Sequence, residues 1–278
     1  MGLFDSKKRK QKRLRDLLGD WELPVLPGSA TMILDKLRDD DASLDEVAEA
    51  IQQDPEIVTR LLKVVNSASY GLRSTVKSVA HAVQFLGRAN LHSLVLGLTV
   101  QRMLPKSKAE GFDHHRYVYG AVRRATLAKC FASRLHPASQ AEDFTAALLQ
   151  DMAIPLLAFA KPEEYGEVLR RWRADEGVHL EEVETAVLGC HHAEIGALVG
   201  EAWSLPESLV ESIASHHSDE AQTTPAVRLA SLMRTKSGDT DNEELLQAAS
   251  ELGLDPDWCL EVLEQSVEQT SELATLMS

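Results

Sequence analysis

Asp151, His192 and the pair His216–His217 stand out because each closes an otherwise apolar run at helical spacing. Phe144, Ala147, Leu148 and Asp151 share one helical face, His192, Ile195, Val199 and Trp203 share another, and Leu209, Val210 and Ile213 lead to His216 or His217. Imidazole and carboxylate are the groups that hold divalent cations, lower the pKa of a bound water and neutralise phosphate charge. Without a metal they make a hydrogen-bonded acid–base cluster. A lone carboxylate on a buried apolar face costs several kcal/mol, so Asp151 needs a partner, and a histidine is the natural one. The expectation is a polar cluster of Asp151, His192, His216 and His217. The plain alternatives are unrelated surface or core histidines, and a weak metal site.

The elements that must position these residues are helices. Ser43-Leu-Asp-Glu46 has the capping-box form, Asp54-Pro55 gives an N-cap followed by proline at the first helical position, and Ser204-Leu-Pro-Glu207 and Asp255-Pro-Asp257 do much the same. Spacing predicts helices near 29–38, 43–53, 55–67, 77–86, 88–104, 113–135, 141–153, 162–177, 180–190, 192–203, 206–217, 223–236, 241–252 and 256–276. No alternating β-branched run interrupts them, so the fold class is all-α, a multi-helix bundle. Soft boundaries fall at Pro105–Gly111 and Ser218–Thr224.

Composition narrows the classes further. The 278 residues are 44% hydrophobic and 5% aromatic with a net charge of −14, which argues for a sizeable core and against a β-sandwich or a basic nucleic-acid-coating protein. There is no stretch of about 18 uncharged apolar residues and no apolar core to the N-terminal segment, so a cytoplasmic location is expected. Cys130, Cys190 and Cys259 are too few and too far apart for a disulfide framework or a CxxC knuckle.

Three segments are more specific. Leu23-Pro-Val-Leu-Pro27 leads into a helix; Ile51-Gln-Gln-Asp-Pro-Glu-Ile-Val-Thr-Arg-Leu-Leu-Lys-Val-Val-Asn-Ser-Ala-Ser-Tyr-Gly71 and Val76-Lys-Ser-Val-Ala-His-Ala-Val-Gln-Phe-Leu-Gly87 follow in order. Together they resemble the HDOD family, the HD-related output domain of bacterial signalling proteins, from about Trp21 to His217. The motif residues Asp54, Pro55, Arg60, Asn66, Ser67, Tyr70 and Gly71 also have a purely structural reading. Asp54 and Pro55 start a helix, Ile57, Leu61, Leu62 and Val65 form its buried stripe, and Asn66 to Gly71 end it in a turn. Arg60 would pair with an acidic neighbour, and Tyr70 reads as a packing residue ahead of a ligand contact.

The resemblance implies an HD-domain-like helical core with an N-terminal helical part and C-terminal helices. It also implies descent from metal-dependent phosphohydrolases, and so permits a test residue by residue. The early ligand histidine falls at Gly120; His114 and His115 lie almost two turns upstream. The His-Asp pair that names the superfamily reads Gln150-Asp151, and Ser231 stands where an Asp ligand is expected. Asp151, His192 and the 216–217 pair survive. The cluster is then a remnant of a catalytic centre, with no catalytic residue, metal or cofactor expected.

Residues 1–15 hold seven Lys/Arg against one Asp, whereas Asp239–Ser278 hold eleven acidic residues and no Lys or Arg. Residues 1–18 read as a basic, disordered, solvated tail, 19–217 as the HDOD domain (19–105 and 111–217), and 218–278 as an acidic helical extension. Lys7, Lys8, Arg9, Lys10, Lys12, Arg13 and Arg15 could touch anionic lipid or nucleic acid, and the C-terminal helices cap the domain or serve a homodimer. The function expected is a non-catalytic, stand-alone signalling output or adaptor, acting on signalling proteins or a small nucleotide-like ligand. The competing class is a metal-dependent phosphohydrolase or cyclic-dinucleotide phosphodiesterase.

Overall fold

The computed structural model describes residues 12–19, 23–67, 74–175, 177–218, 223–233 and 242–277, and among these it contains helices and no strand. In chain order they are α1 (12–18), α2 (Gly28–Arg38), α3 (Leu44–Gln52), α4 (Pro55–Asn66), α5 (Val79–Met103), α6 (His114–Leu135), α7 (Gln140–Leu149) and α8 (Ala153–Ala160). Then come α9 (Pro162–Ala174), α10 (Leu180–Leu188), α11 (His192–Ala202), α12 (Glu207–Ser215), α13 (Pro225–Ser231), α14 (Glu243–Glu251) and α15 (Pro256–Met277).

The start signals act as their chemistry requires. Ser43 and Glu46 form the reciprocal capping box of α3, with the Ser43 N–H donating to Glu46 Oε2 at 2.7 Å and the Glu46 N–H to Ser43 Oγ at 3.2 Å. Asp54 caps α4, accepting from the N–H groups of Glu56 and Ile57 at 3.2 and 3.1 Å. Its other oxygen accepts from Ser29 Oγ at 2.9 Å, and Arg102 lies 3.2 Å away, so one carboxylate joins α2, α4 and α5. The buried stripe of α4 is Ile57, Leu61, Val64 and Val65; Val64 takes the place expected for Leu62, which is half-buried. Each such side chain contributes about 1.5–3 kcal/mol by leaving water. Asn66 ends α4 by clasping Val76, donating Nδ2–H to its carbonyl at 2.8 Å and accepting its N–H at 2.7 Å. Arg60 pairs with Glu56 at 3.1 Å and reaches the carbonyl of Met277 at the end of α15. Tyr70 and Gly71 of the motif lie outside the described residues.

At Gly87, φ is +70° and ψ 169°, a conformation almost reserved for glycine, and it divides α5 at the break the spacing predicts between 86 and 88. The second half of α5, together with α6, brackets α7 in the centre of the bundle. α13 packs on α6 and α7, and α15 lies along α6 and against α4, so these late helices share the core of the preceding ones.

Two expectations are corrected. The helix expected over 141–153 ends at Leu149, and a further helix, α8, follows a turn at Gln150–Met152. Continuing the helix would require an N–H from Pro155 to the carbonyl of Asp151; proline has none, and the Ile154 N–H takes that carbonyl at 3.0 Å. The basic tail assigned to 1–18 contains α1, whose Leu14 and Leu18 are buried four residues apart while Lys12, Arg13 and Arg15 face outward. Lys7, Lys8, Arg9 and Lys10 lie outside the described residues. The stretch Pro137–Ala160 is apolar and long enough to cross a membrane by composition, but its most apolar window is 83% buried inside the bundle and it is divided among a short 3-10 helix (Pro137–Ser139), α7 and α8.

Candidate functional site

The α7–α8 turn aims Gln150 and Asp151 at a face of α6 that carries Tyr117, Gly120 and Arg124, residues three to four apart. The first residue of α11 brings His192 to the same point, and the turn after α12 brings His216 and His217. α11 and α12 approach so closely that a Cβ on Gly196 would stand 2.7 Å from Ile213, which sets the distance between the two histidine-bearing ends.

The four residues singled out from the sequence meet. Asp151 Oδ1 lies 3.3 Å from His192 Nε2 and 3.2 Å from His216 Nε2. His192 Nε2 lies 3.2 Å from His216 Nε2 and 2.9 Å from His217 Nε2. The outer nitrogens are held from behind. His192 Nδ1 is 2.6 Å from Glu184 Oε2, which also accepts the His192 backbone N–H at 2.8 Å. His216 Nδ1 is 2.7 Å from the Ile213 carbonyl, and His217 Nδ1 is 3.5 Å from Glu181 Oε1. Tyr165 donates its hydroxyl to the other oxygen of Glu184 at 2.6 Å, completing a fully buried chain from Tyr165 to His192.

Charge within the site is matched internally. Burial alone would raise the Asp151 carboxyl, but the guanidinium of Arg124, paired with its Oδ2, and the bonds to His192 and His216 hold it well below the usual carboxylate range. Burial would lower His192; the carboxylates of Glu184 and Asp151 outweigh it and push the imidazole up to about 10. His217 is depressed by burial and by the neighbouring His216 and His192. Tyr165 is pushed well above its ordinary value by burial and by the adjacent Glu184.

Above the cluster opens a cavity of about 880 Å³, lined by aromatic and apolar side chains such as Phe112, Trp172 and Leu180 and by Arg116, Arg173 and Arg228. Gly120, Gln150 and Ser231 line the same cavity. Ser231 Oγ faces Gln150 Oε1 at 3.3 Å, so two of these positions contact each other.

Residues 23–219 match the profile of the HDOD domain, which is most of the chain. The chain belongs to the HDOD family. Its sequence is 28% identical over 197 residues to an uncharacterised protein of Treponema pallidum (strain Nichols); the match takes in 70% of this chain and 38% of that protein. The chain therefore spans well under half the length of that curated relative. Among solved structures, an HDOD domain protein of unknown function from Geobacter sulfurreducens superposes with a TM-score of 0.72 at 21% identity, over 99% of both chains. A proposed phosphohydrolase from Shewanella amazonensis SB2B gives 0.74 at 24% identity over 97% of this chain and 98% of the other. A proposed metal-dependent phosphohydrolase from the same organism gives 0.64 at 18% identity over 99% of each. At these identities the likeness is one of fold.

Within this HDOD domain the motif residues and the cluster are separate. Asp54, Arg60 and Asn66 fasten α4 to its neighbours, Ser67 Oγ donates back to the Val64 carbonyl of the same helix, and none of the four lines the cavity. Neither do Lys12, Arg13 and Arg15; Arg13 lies 3.9 Å from Glu194 at the surface. The site residues the sequence reading missed include Arg124, Glu184, Tyr165 and Glu181. Arg124 could have been noticed as a charge among Ala121, Ala125 and Ala128 on a buried face. Glu184 stands eight residues before His192 on a different helix, and no spacing rule connects them.

The donor set bears on which metals the HDOD domain could hold. Asp151, His192, His216 and His217 each offer one ligand atom, all within 4.8 Å of one another, a set suited to a single ion. The further donors implied by the phosphohydrolase resemblance are replaced by a hydrogen atom at Gly120, an amide at Gln150 and a hydroxyl at Ser231.

Proposed function

We propose that this HDOD domain is a non-catalytic output or adaptor of bacterial signal transduction. It acts in the cytoplasm by recognising signalling proteins or a small nucleotide-like ligand. The observation that carries the reading is the condition of the former ligand positions. Gly120 donates nothing, Gln150 and Ser231 face each other, and the surviving carboxylate, Asp151, is ion-paired with Arg124. A hydrolytic centre needs an open metal position where water ionises and phosphate binds. Here a protein guanidinium already occupies the Oδ2 side of the one carboxylate in the cluster. The cavity over it, with arginines and aromatic surface, suits an anionic ligand with an apolar ring. The outward-facing Lys12, Arg13 and Arg15, with Lys7, Lys8, Arg9 and Lys10, are compatible with a second, salt-sensitive contact to an anionic partner.

The competing reading, a phosphohydrolase or cyclic-dinucleotide phosphodiesterase, is favoured by one observation, the convergence of Asp151 with three imidazoles. Assays of the full chain with Mn²⁺, Fe²⁺ and Zn²⁺ on a phosphomonoester and on cyclic dinucleotides separate the two. The expected result is no turnover above buffer and a rise in melting temperature with a bound nucleotide or protein partner. Turnover that disappears in Asp151→Asn overturns the non-catalytic reading.

A further inference from the structure

One wall of the cavity comes from α14. Glu244, Gln247, Ala248, Glu251 and Leu252 line it, and their spacing of three, four, seven and eight residues puts them on a single face of that helix. α14 lies beyond residues 23–219, the stretch that matches the HDOD profile. Gln247 donates Nε2–H to Glu251 Oε1 at 3.4 Å along the same face. Leu245 and Ala249 are its fully buried side chains, a small anchor for nine residues. Charge decides what this wall does. The chain carries a net −14, yet Arg116, Arg173 and Arg228 line this one cavity. Three of the carboxylates that line it have tasks within the domain: Asp151 is paired with Arg124, Asp113 caps α6 by accepting the Arg116 N–H at 3.0 Å, and Glu181 lies 3.5 Å from His217. Glu244 and Glu251 are exposed carboxylates that α14 adds to them. An anion entering the cavity is therefore attracted by the arginines and opposed by α14, which carries the same sign.

We propose that α14 is a built-in competitor for the anionic ligand of the cavity. Glu244 and Glu251 supply to the arginine-lined space the negative charge that the ligand supplies when bound, and binding displaces the helix. This regulation rests on the cavity's being a site for an anionic ligand with an apolar ring, as proposed above. A helix that closed over such a ligand would need the opposite charge; with carboxylates on the cavity face, α14 and the ligand exclude each other. The helix is held by few buried groups, so it belongs to the part of the fold that opens at least cost. Its displacement uncovers Leu245 and Ala249, and a filled cavity thereby changes the surface that a protein partner meets.

The test uses the full chain and the fluorescent probe anilinonaphthalene sulfonate, which joins one anionic group to aromatic rings. Arg228→Gln should weaken its binding, which locates the probe in the cavity. Glu244→Gln combined with Glu251→Gln should tighten binding about fivefold at low salt, with the helical circular-dichroism signal retained because both side chains are exposed. Glu243→Gln, which removes a charge from α14 at a position that does not line the cavity, should leave the affinity unchanged. In wild type, saturating probe should speed amide hydrogen exchange across Glu243–Glu251. Unchanged affinity in the double variant, an equal gain in Glu243→Gln, or slower exchange over α14 overturns the competitor and leaves the anionic-ligand site standing. A full chain that binds no probe, or binds it equally well after Arg228→Gln, overturns the anionic-ligand site and the competitor with it.

Discussion

Glu184 is fully buried, carries a carboxylate and accepts from the His192 N–H, His192 Nδ1 and the Tyr165 hydroxyl. Each of those donors would be orphaned by its loss, and an unpaired buried polar group costs about 1–3 kcal/mol. Glu184→Ala is therefore expected to destabilise the protein by about 3–5 kcal/mol in urea unfolding, the scale of breaking a buried charged network. A change within 1 kcal/mol would mean that the Tyr165–Glu184–His192 chain does not hold the site. Asp151 and the histidines could be read from sequence because each interrupts an apolar helical face. Glu184 could not, since its significance depends on which side chain faces it across a helix interface.

At the scale of elements, the cap of α4 shows how a local signal acquires a tertiary role. Asp54 followed by Pro55 is legible as a helix start, but the sequence does not show that Ser29 and Arg102 converge on the same carboxylate. Burial would raise the Asp54 carboxyl; the Ile57 N–H, the Ser29 hydroxyl and Arg102 outweigh it and lower it below the ordinary value of 3.8. A carboxyl lowered on folding contributes stability above its unfolded pKa, and that contribution is lost as pH falls through the lowered folded value. Asp54→Asn retains a capping oxygen and removes the charge. It should be less stable than wild type at pH 7, and the gap should narrow as pH falls below the ordinary value of 3.8 in thermal melts across pH. A gap that stays constant across that range would remove the ionised carboxylate from the account. The α7–α8 turn teaches the converse lesson. Apolar spacing predicts one helix through 153, and the turn that presents Asp151 follows from Pro155, which spacing alone does not weigh.

Over the whole molecule, the acidic C-terminal helices cover the outer face of α6 and reach back to α4. Cys259, Leu263 and Leu273 are buried, Arg134 lies over the ring of Trp258 at 4.1 Å, and Arg60 meets the Met277 carbonyl. Leu260 and Val267 remain 44% exposed on the opposite side of α15. Removing residues 256–277 should uncover a continuous apolar face of α6. The truncated chain is expected to lose cooperative thermal unfolding and to bind a hydrophobic dye; a sharp melt close to that of the full chain would show that α15 is an appendage.

Residue order alone determined the helical class, most helix starts, the break at Gly87 and the family resemblance, because capping and amphipathic spacing act over three to seven residues. It also supplied Asp151, His192, His216 and His217 as a group to watch. Only the tertiary structure decided that their donor atoms converge, that Arg124 and Glu184 stand behind them, and that Gln150 faces Ser231. Those relations join residues up to 81 positions apart, and such distances are set by how helices pack.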